Sequence, residues 1–196
     1  QVGSSAASDV YKRQAMEAAG LPTAKGSSEP ISSAKVASEL AEEIGYPVII
    51  KAAAGGGGIG MQIVHEEHEF EGALKLCQGR AKSAFGDDRV FVEKYIEGAQ
   101  HVEFQVLADG NKAIHFGERF CSIQRRHQKL IEEGPWLTDE KRAEIGALVC
   151  AGAESVGYKG LATFEFLRDK NGEFYFLEVN PRVQVEHTVT ELITGY

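Results

Sequence analysis

The chain lacks any apolar run near the ~18 to 20 residues that a membrane-spanning helix requires, and it shows no signal-peptide pattern. Cysteine is scarce and odd in number: Cys77, Cys121 and Cys150 lie far apart, which argues against a disulfide framework or a zinc site and suits reduced thiols. Positive charge is in deficit, with 21 Lys and Arg against 29 Asp and Glu and a formal net charge of −8. No broad basic face is then available to neutralise a nucleic-acid backbone, so neither nucleic acid nor membrane is an expected partner. A small anion held by a local cluster remains open. A soluble intracellular protein is the expectation.

What is present is a globular composition, 43% hydrophobic and 26% charged over 196 residues, enough to bury one core or two small ones. The first residues, "QVGSSAASDVYKRQ", are small and polar, and residues 1–14 are expected to be a foreign or disordered tail. "AMEAAGLPTAKG" after them has a short helical pattern. At the other end "TVTELITGY" reads as a helix with a Gly stop, so the chain is expected to continue in a longer parent.

Between the ends the pattern is mixed α/β. "SSAKVASELAEEIGY" places Val36, Leu40 and Ile44 on a helix stripe stopped by Gly45, and "EEHEFEGALKLCQGRAKSAF" places Phe70, Leu74 and Cys77 on one helix face. "PVIIKA", "MQIVH", "RVFVEKYI", "HVEFQVLAD" and "NKAIHFGERFCSI" read as strands, the last two joined across Asp109-Gly110-Asn111. "TDEKRAEIGALVCAGAESVGY" opens on Thr138 as N-cap and reads as the longest helix. "GLATFEFLRD" and "GEFYFLEVNP" form a hairpin across Lys170-Asn171-Gly172.

Three stretches carry chemistry. In "YPVIIKAAAGGGGIGMQIV" two strands flank a glycine run with Lys51 at its foot. Glycines remove side chains so that backbone N–H groups can lie against phosphate oxygens, and the lysine adds a point charge. The spacing is neither a P-loop nor a dinucleotide fingerprint, since a strand follows the glycines. A floppy surface hairpin is the bland alternative. The second stretch is the hairpin "TFEFLRDKNGEFYFLEVNPR", with Glu165 on one strand and Glu178 and Asn180 sharing a face of the other. Inward carboxylates are costly unless a cation compensates them, and two carboxylates with an amide oxygen suit Mg²⁺ or Mn²⁺. Arg182 and Gln184 continue that line if the chain stays extended. Glu173 fits a solvated position better.

The third stretch is "SIQRRHQKLIEEGP" together with "NPRVQVEH". Arg125, Arg126, Lys129 and Arg182 suggest a pocket for a second anion, with Glu186 as a base beside it. Arg125 and Arg126 cannot both face inward on one strand. For His127 a structural hydrogen bond is the plain alternative, and His65 and His68 read as a solvated helix start.

Taken in order, "IIKAAAGGGGIGM", "VEKYIEGAQHVEFQV", "CSIQRRHQKLIEE", "TFEFL" and "FLEVNPRVQVEHTVTE" resemble the ATP-grasp portion of the biotin carboxylases, over residues 15–196. The resemblance implies an α/β ATP-grasp fold. Residues 15–96 would form a lid with a glycine flap, and residues 97–196 a larger antiparallel-sheet subdomain for metal and bicarbonate, with ATP between them. It also implies roles. Lys51 and the backbone of Gly57 and Gly58 would contact ATP phosphates. Glu93, Lys94, Tyr95 and Ile96 would line the adenine, with His101, Gln124 and His127 also at the nucleotide. Glu165, Glu178 and Asn180 would hold Mg²⁺ or Mn²⁺. Lys129, Arg182, the Val185 backbone and Glu186 would hold bicarbonate, Glu186 as base and Arg182 stabilising the biotin enolate or carboxyphosphate.

The activity implied is ATP-dependent carboxylation of biotin through carboxyphosphate, in the cytoplasm, or the mitochondrial matrix for a eukaryotic parent. The implied partners are a biotin carboxyl carrier protein, a carboxyltransferase and a second copy in a homodimer. Ile59 departs from the pattern, since relatives commonly carry Arg or Lys there. The family's N-terminal domain and C-terminal segment are not in the sequence, so the chain alone is expected to be an incomplete enzyme. Another ATP-grasp ligase, such as a carbamoyl-phosphate synthase-like enzyme, and a non-catalytic nucleotide-binding module are the alternatives.

Overall fold

A computed structural model describes residues 13–54, 60–125 and 128–196 and divides into two compact units, Ala24–Glu97 and residues 13–23 with Gly98–Tyr196.

In the first unit a three-stranded antiparallel sheet has the order β2-β1-β3, with β1 Val48–Ala52 central, β2 Met61–Val64 and β3 Val90–Lys94. Helices α1 (Ala34–Ile44) and α2 (Glu67–Phe85) cover it. The side chain of Ser33 caps α1, and Gly45 ends it at positive φ. Ala37 and Ala41, not the expected Val36 stripe, are the fully buried positions of α1, and Val36 is exposed. Small residues let the helix sit close to the sheet, leaving Leu40 and Ile44 to pack at the margin. On α2 the expected face of Phe70, Leu74 and Cys77 is buried, joined by Ala81. At 19 residues α2, not the helix that follows Thr138, is the longest element of its kind among the described residues.

The second unit is a five-stranded antiparallel sheet in the order β6-β5-β4-β7-β8: β4 Gln100–Asp109, β5 Ala113–Arg125, β6 Gln128–Glu133, β7 Lys159–Arg168 and β8 Phe174–Asn180. Helix α3 (Asp139–Ser155), capped by the Thr138 hydroxyl, packs on one face, and α4 (His187–Thr194) follows β8. The apolar face carries Val102, Phe104, Val106, Phe164, Phe166, Phe174 and Phe176 against Ile145 and Val149 of α3, with Met16 and Leu21 completing the core. Close approach explains Gly146, because a Cβ there would lie 2.3 Å from the His115 ring. In the turn after β4, the Asp109 carboxylate accepts from the backbone N–H of Asn111 and Lys112. Asp169 does the same for Asn171 and Glu173 after β7.

Two features set up the chemistry. The buried carboxylate of Glu118 accepts from the N–H groups of Trp136 and Leu137 and from Arg142, anchoring the segment between β6 and α3. A bulge in β8 shifts its register: Phe176 opposes Phe166, yet Glu178 opposes Glu165. Strict alternation would put Phe174, Phe176, Glu178 and Asn180 on one face. The extra residue, Leu177, sends the phenylalanines to the core and the polar pair to the opposite face.

Candidate functional site

The strands of the glycine hairpin form as expected, with Lys51 of β1 opposite Met61 of β2. The glycine run itself, with Gly57, Gly58 and Ile59, lies outside the described residues. At its foot the Lys51 ammonium donates to the Glu93 carboxylate of β3 at 2.5 Å, so two expected nucleotide contacts meet as an ion pair. The Lys94 ammonium donates to the carbonyls of Gly45 and Tyr46, each at 2.9 Å. That engages its charge within the fold, and its backbone N–H donates to the Lys25 carbonyl at 2.7 Å. Tyr95 and Ile96 are half-buried just beyond β3, Tyr95 edge-on to His65 at 6.4 Å between ring centres. The exposed side chains of His65 and His68 match a solvated helix start.

The polar face of the second unit holds the denser cluster. Glu103 and Gln105 of β4, Arg119 of β5 and Thr163 and Glu165 of β7 are all buried. Lys129 of β6 reaches into it: its ammonium ion-pairs with Glu103, lies 3.3 Å from Glu165 Oε1 and 3.7 Å from Glu186 Oε1. Burial alone would push this ammonium's pKa down, but the Glu103 and Glu165 carboxylates outweigh it and raise it. Glu165 shows the mirror effect. Burial raises its pKa, yet His101 at 3.1 Å, Lys129 and Gln184 pull it to about 2, so the carboxylate is ionised at neutral pH. Glu132 of β6 has the opposite balance: burial and the charges of Glu103 and Glu186 push it up to about 7.

Glu165 and Glu178 face each other across β7 and β8, and Asn180 Nδ2 donates to both, at 3.0 Å and 3.4 Å. Turning the amide over presents Oδ1 beside two carboxylates, an all-oxygen donor set that fits a hard divalent cation. Two other trios, His101–Glu103–Glu165 and Glu103–Cys121–Glu132, have ligand atoms within 4.8 Å of one another, but the Lys129 ammonium already compensates Glu103, which both share. The first set is therefore the better metal candidate.

Several expectations change. Glu178 is exposed and not inward, because β8 is the sheet edge. Arg182 does not continue the line of Glu178 and Asn180. The chain turns after Asn180, and Arg182 is exposed with Nη1 donating to the Val183 carbonyl. Gln184 does reach the cluster, its amide donating to Glu165 Oε1 at 3.4 Å. Val185 is exposed, Glu186 half-buried. Of the expected four-cation pocket, Lys129 is half-buried and Arg125 and Arg182 are exposed; Arg126, like His127, lies outside the described residues. The Gln124 amide donates to its own strand's Cys121 carbonyl. The sequence reading missed Glu103, Arg119, Glu132 and Thr190. The one signal was polar residues alternating with Val102, Phe104 and Val106, a pattern that ordinarily marks a solvated strand face.

A three-stranded unit presenting a glycine hairpin, and an antiparallel sheet whose polar face pairs two carboxylates with an amide, define the ATP-grasp class of domains. The solved structures agree. A biotin carboxylase–β,γ-ATP complex from Campylobacter jejuni superposes with a TM-score of 0.89 at 49% identity, over 95% of this chain and 43% of that one. The biotin carboxylase domain dimer of Hydrogenobacter thermophilus 2-oxoglutarate carboxylase, in complex with MgADP, ADP and bicarbonate, gives 0.89 at 47%, over 96% and 42%.

Residues 9–196 match the family described as carbamoyl-phosphate synthase L chain, ATP binding domain, and the chain belongs to that family. Among curated relatives, Allochromatium vinosum biotin carboxylase is 55% identical over 186 residues, 92% of this chain and 41% of that protein. A pyruvate carboxylase subunit from Methanothermobacter thermautotrophicus is 51% identical over 95% of this chain and 38% of that protein. The chain thus spans about two fifths of the length of these relatives.

Proposed function

We propose that this chain is the ATP-grasp part of a biotin carboxylase, which uses ATP and bicarbonate to carboxylate biotin on a carrier protein. The unit Ala24–Glu97 serves as nucleotide lid and Gly98–Tyr196 as the metal and bicarbonate unit. A carboxyltransferase as the next partner, a homodimeric parent and a cytoplasmic location belong to the same proposal. The observation that carries it is the position of Lys129, whose ammonium touches Glu165 of the metal-type donor set and Glu186 together.

Mg²⁺ or Mn²⁺ on Glu165, Glu178 and Asn180 would neutralise phosphate charge when bound. The residues of the chain do the rest. Lys51 turns from Glu93 to meet a phosphate, and Glu93, Lys94, Tyr95 and Ile96 line the adenine. Lys129, fixed among carboxylates, offers a donor to the bicarbonate oxygens, and Glu186 takes the bicarbonate proton as a bicarbonate oxygen attacks the γ-phosphate, the bond to the β-phosphate breaks and carboxyphosphate and ADP result. Arg182, exposed two residues before Gln184, swings onto the bicarbonate or the biotin enolate as carboxyphosphate passes its carboxyl to N1′ and phosphate leaves.

A hybrid enzyme tests this: residues 15–196 replace the matching segment of the A. vinosum biotin carboxylase, and transfer of label from [¹⁴C]bicarbonate to free biotin is followed. ATP-dependent labelling of biotin is the expected result. A folded hybrid that hydrolyses ATP with bicarbonate yet never labels biotin would move the acceptor to another class, such as ammonia or an amino acid.

A further inference from the structure

Arg119 is among the largest fully buried side chains of the protein, and the chemistry above assigns it no task. Its guanidinium touches several elements at once. Nε donates to Glu103 Oε1 at 2.8 Å, and Nη2 lies in ion-pair contact with the same oxygen at 2.6 Å. Nη1 donates to Gln105 Oε1 at 2.9 Å and to Thr190 Oγ1 at 2.6 Å, while Nη2 stands 3.5 Å from Thr163 Oγ1. Nε also lies 3.5 Å from Glu132 Oε2, an oxygen with no hydrogen bond of its own among the described residues.

Two of these contacts lead to the reacting groups. Committing Glu103 Oε1 to Arg119 leaves Oε2 for Lys129, so the guanidinium sets the carboxylate on which the lysine rests. Thr190 sits on α4 one turn beyond Glu186, the residue that opens that helix. Arg119 therefore holds both halves of the Lys129–Glu186 pair, one through a carboxylate and the other through a helix. We infer that Arg119 is a positioning residue that fixes the 3.7 Å separation of Lys129 and Glu186, and with it the bicarbonate pocket. The inference rests on the functional reading given above for those two residues.

The geometry needs a guanidinium. Its planar fork supplies donors in fixed directions to β4 and α4 at once, whereas a lysine ammonium is a single point on a flexible stem. A rigid fork suits a distance that must be held, beyond any contribution to stability.

The test uses the hybrid enzyme with Thr190→Val and Arg119→Lys. Thr190→Val removes one hydroxyl at nearly constant volume and keeps the fold. Its KM for bicarbonate is expected to rise roughly tenfold, as for a lost hydrogen bond to a charged group, with KM for ATP changed less than about twofold. Arg119→Lys keeps the charge but loses the fork, and is expected to raise KM for bicarbonate further and to move the acidic limb of the kcat/KM pH profile. A lower melting temperature in both variants with unchanged bicarbonate KM and pH profile would overturn the inference and leave Arg119 a stabilising residue only. A cooperatively folding, unsubstituted hybrid with no bicarbonate-dependent turnover would instead overturn the functional reading, and the inference with it.

Discussion

Replacing Lys129 by methionine removes a cation from among three carboxylates while keeping most of its volume. Lys129 is only 13% exposed, Glu103 not at all, and Glu165 7%. Breaking a buried pair by removing one partner costs about 3–5 kcal/mol, because the remaining charge is left uncompensated. Here Arg119 still holds Glu103, and His101, Asn180 and Gln184 still hold Glu165, so the lower end, about 3 kcal/mol at pH 7, is expected. The pH dependence follows from the two shifts. Glu165 is depressed to about 2, so its ionised form adds stability that is present above its unfolded value near 4.5 and lost as pH falls towards 2. The Lys129 ammonium is shifted upward, so its contribution is present below 10.5 and lost as pH rises through the higher folded value. The variant's deficit should therefore be largest between about pH 5 and 10 and shrink on both sides. Trp136, the single tryptophan, stacks on Phe120 at 4.6 Å and reports on this unit alone, so urea unfolding followed by its fluorescence is the assay. A deficit below ~1 kcal/mol, or one constant from pH 3 to 9, would refute the charge-compensation argument.

Other substitutions probe the frame. Glu118→Ala strips the acceptor from Trp136, Leu137 and Arg142 and should cost about 3–5 kcal/mol, read by the same fluorescence; a loss under ~1 kcal/mol would show that the anchor is dispensable. Gly146→Ala gains helix propensity of about 1 kcal/mol but drives a Cβ into His115, so a net loss of about 1–2 kcal/mol is expected in thermal melts, and a rise in Tm would contradict the packing described.

Much of the fold was legible because each element carried its own punctuation. The β1–β2 hairpin, the buried face of α2, the Thr138 cap and the Asp-Gly-Asn and Asn-Gly turns follow from local pattern alone, as does the shared face of Glu178 and Asn180. What was illegible depended on neighbours. Val36 loses its place on α1 to alanines because the sheet comes close, which no stripe reveals. Glu103 and Gln105 sit on the strand face that alternation assigns to water. Only the pairing of Arg119 with Thr190 shows that α4 covers that face. The bulge at Leu177 reverses the facing of half of β8, and the turn after Asn180 takes Arg182 out of line; both are set by the register with β7 and the path into α4. β6, left unassigned as a strand in the sequence, forms because its partner β5 offers an edge, and it delivers Lys129 and Glu132.

The central claim is that Lys129 and Glu186 hold bicarbonate for transfer to biotin. The most direct measurement is ATP hydrolysis by the hybrid enzyme with bicarbonate, with and without free biotin, for the unsubstituted protein and for Glu186→Gln. Biotin-stimulated hydrolysis that Glu186→Gln reduces by about two to four orders of magnitude is the expected result for loss of a general base. Stimulation that survives the substitution would contradict the assignment of the base, and hydrolysis indifferent to biotin would contradict the proposed acceptor.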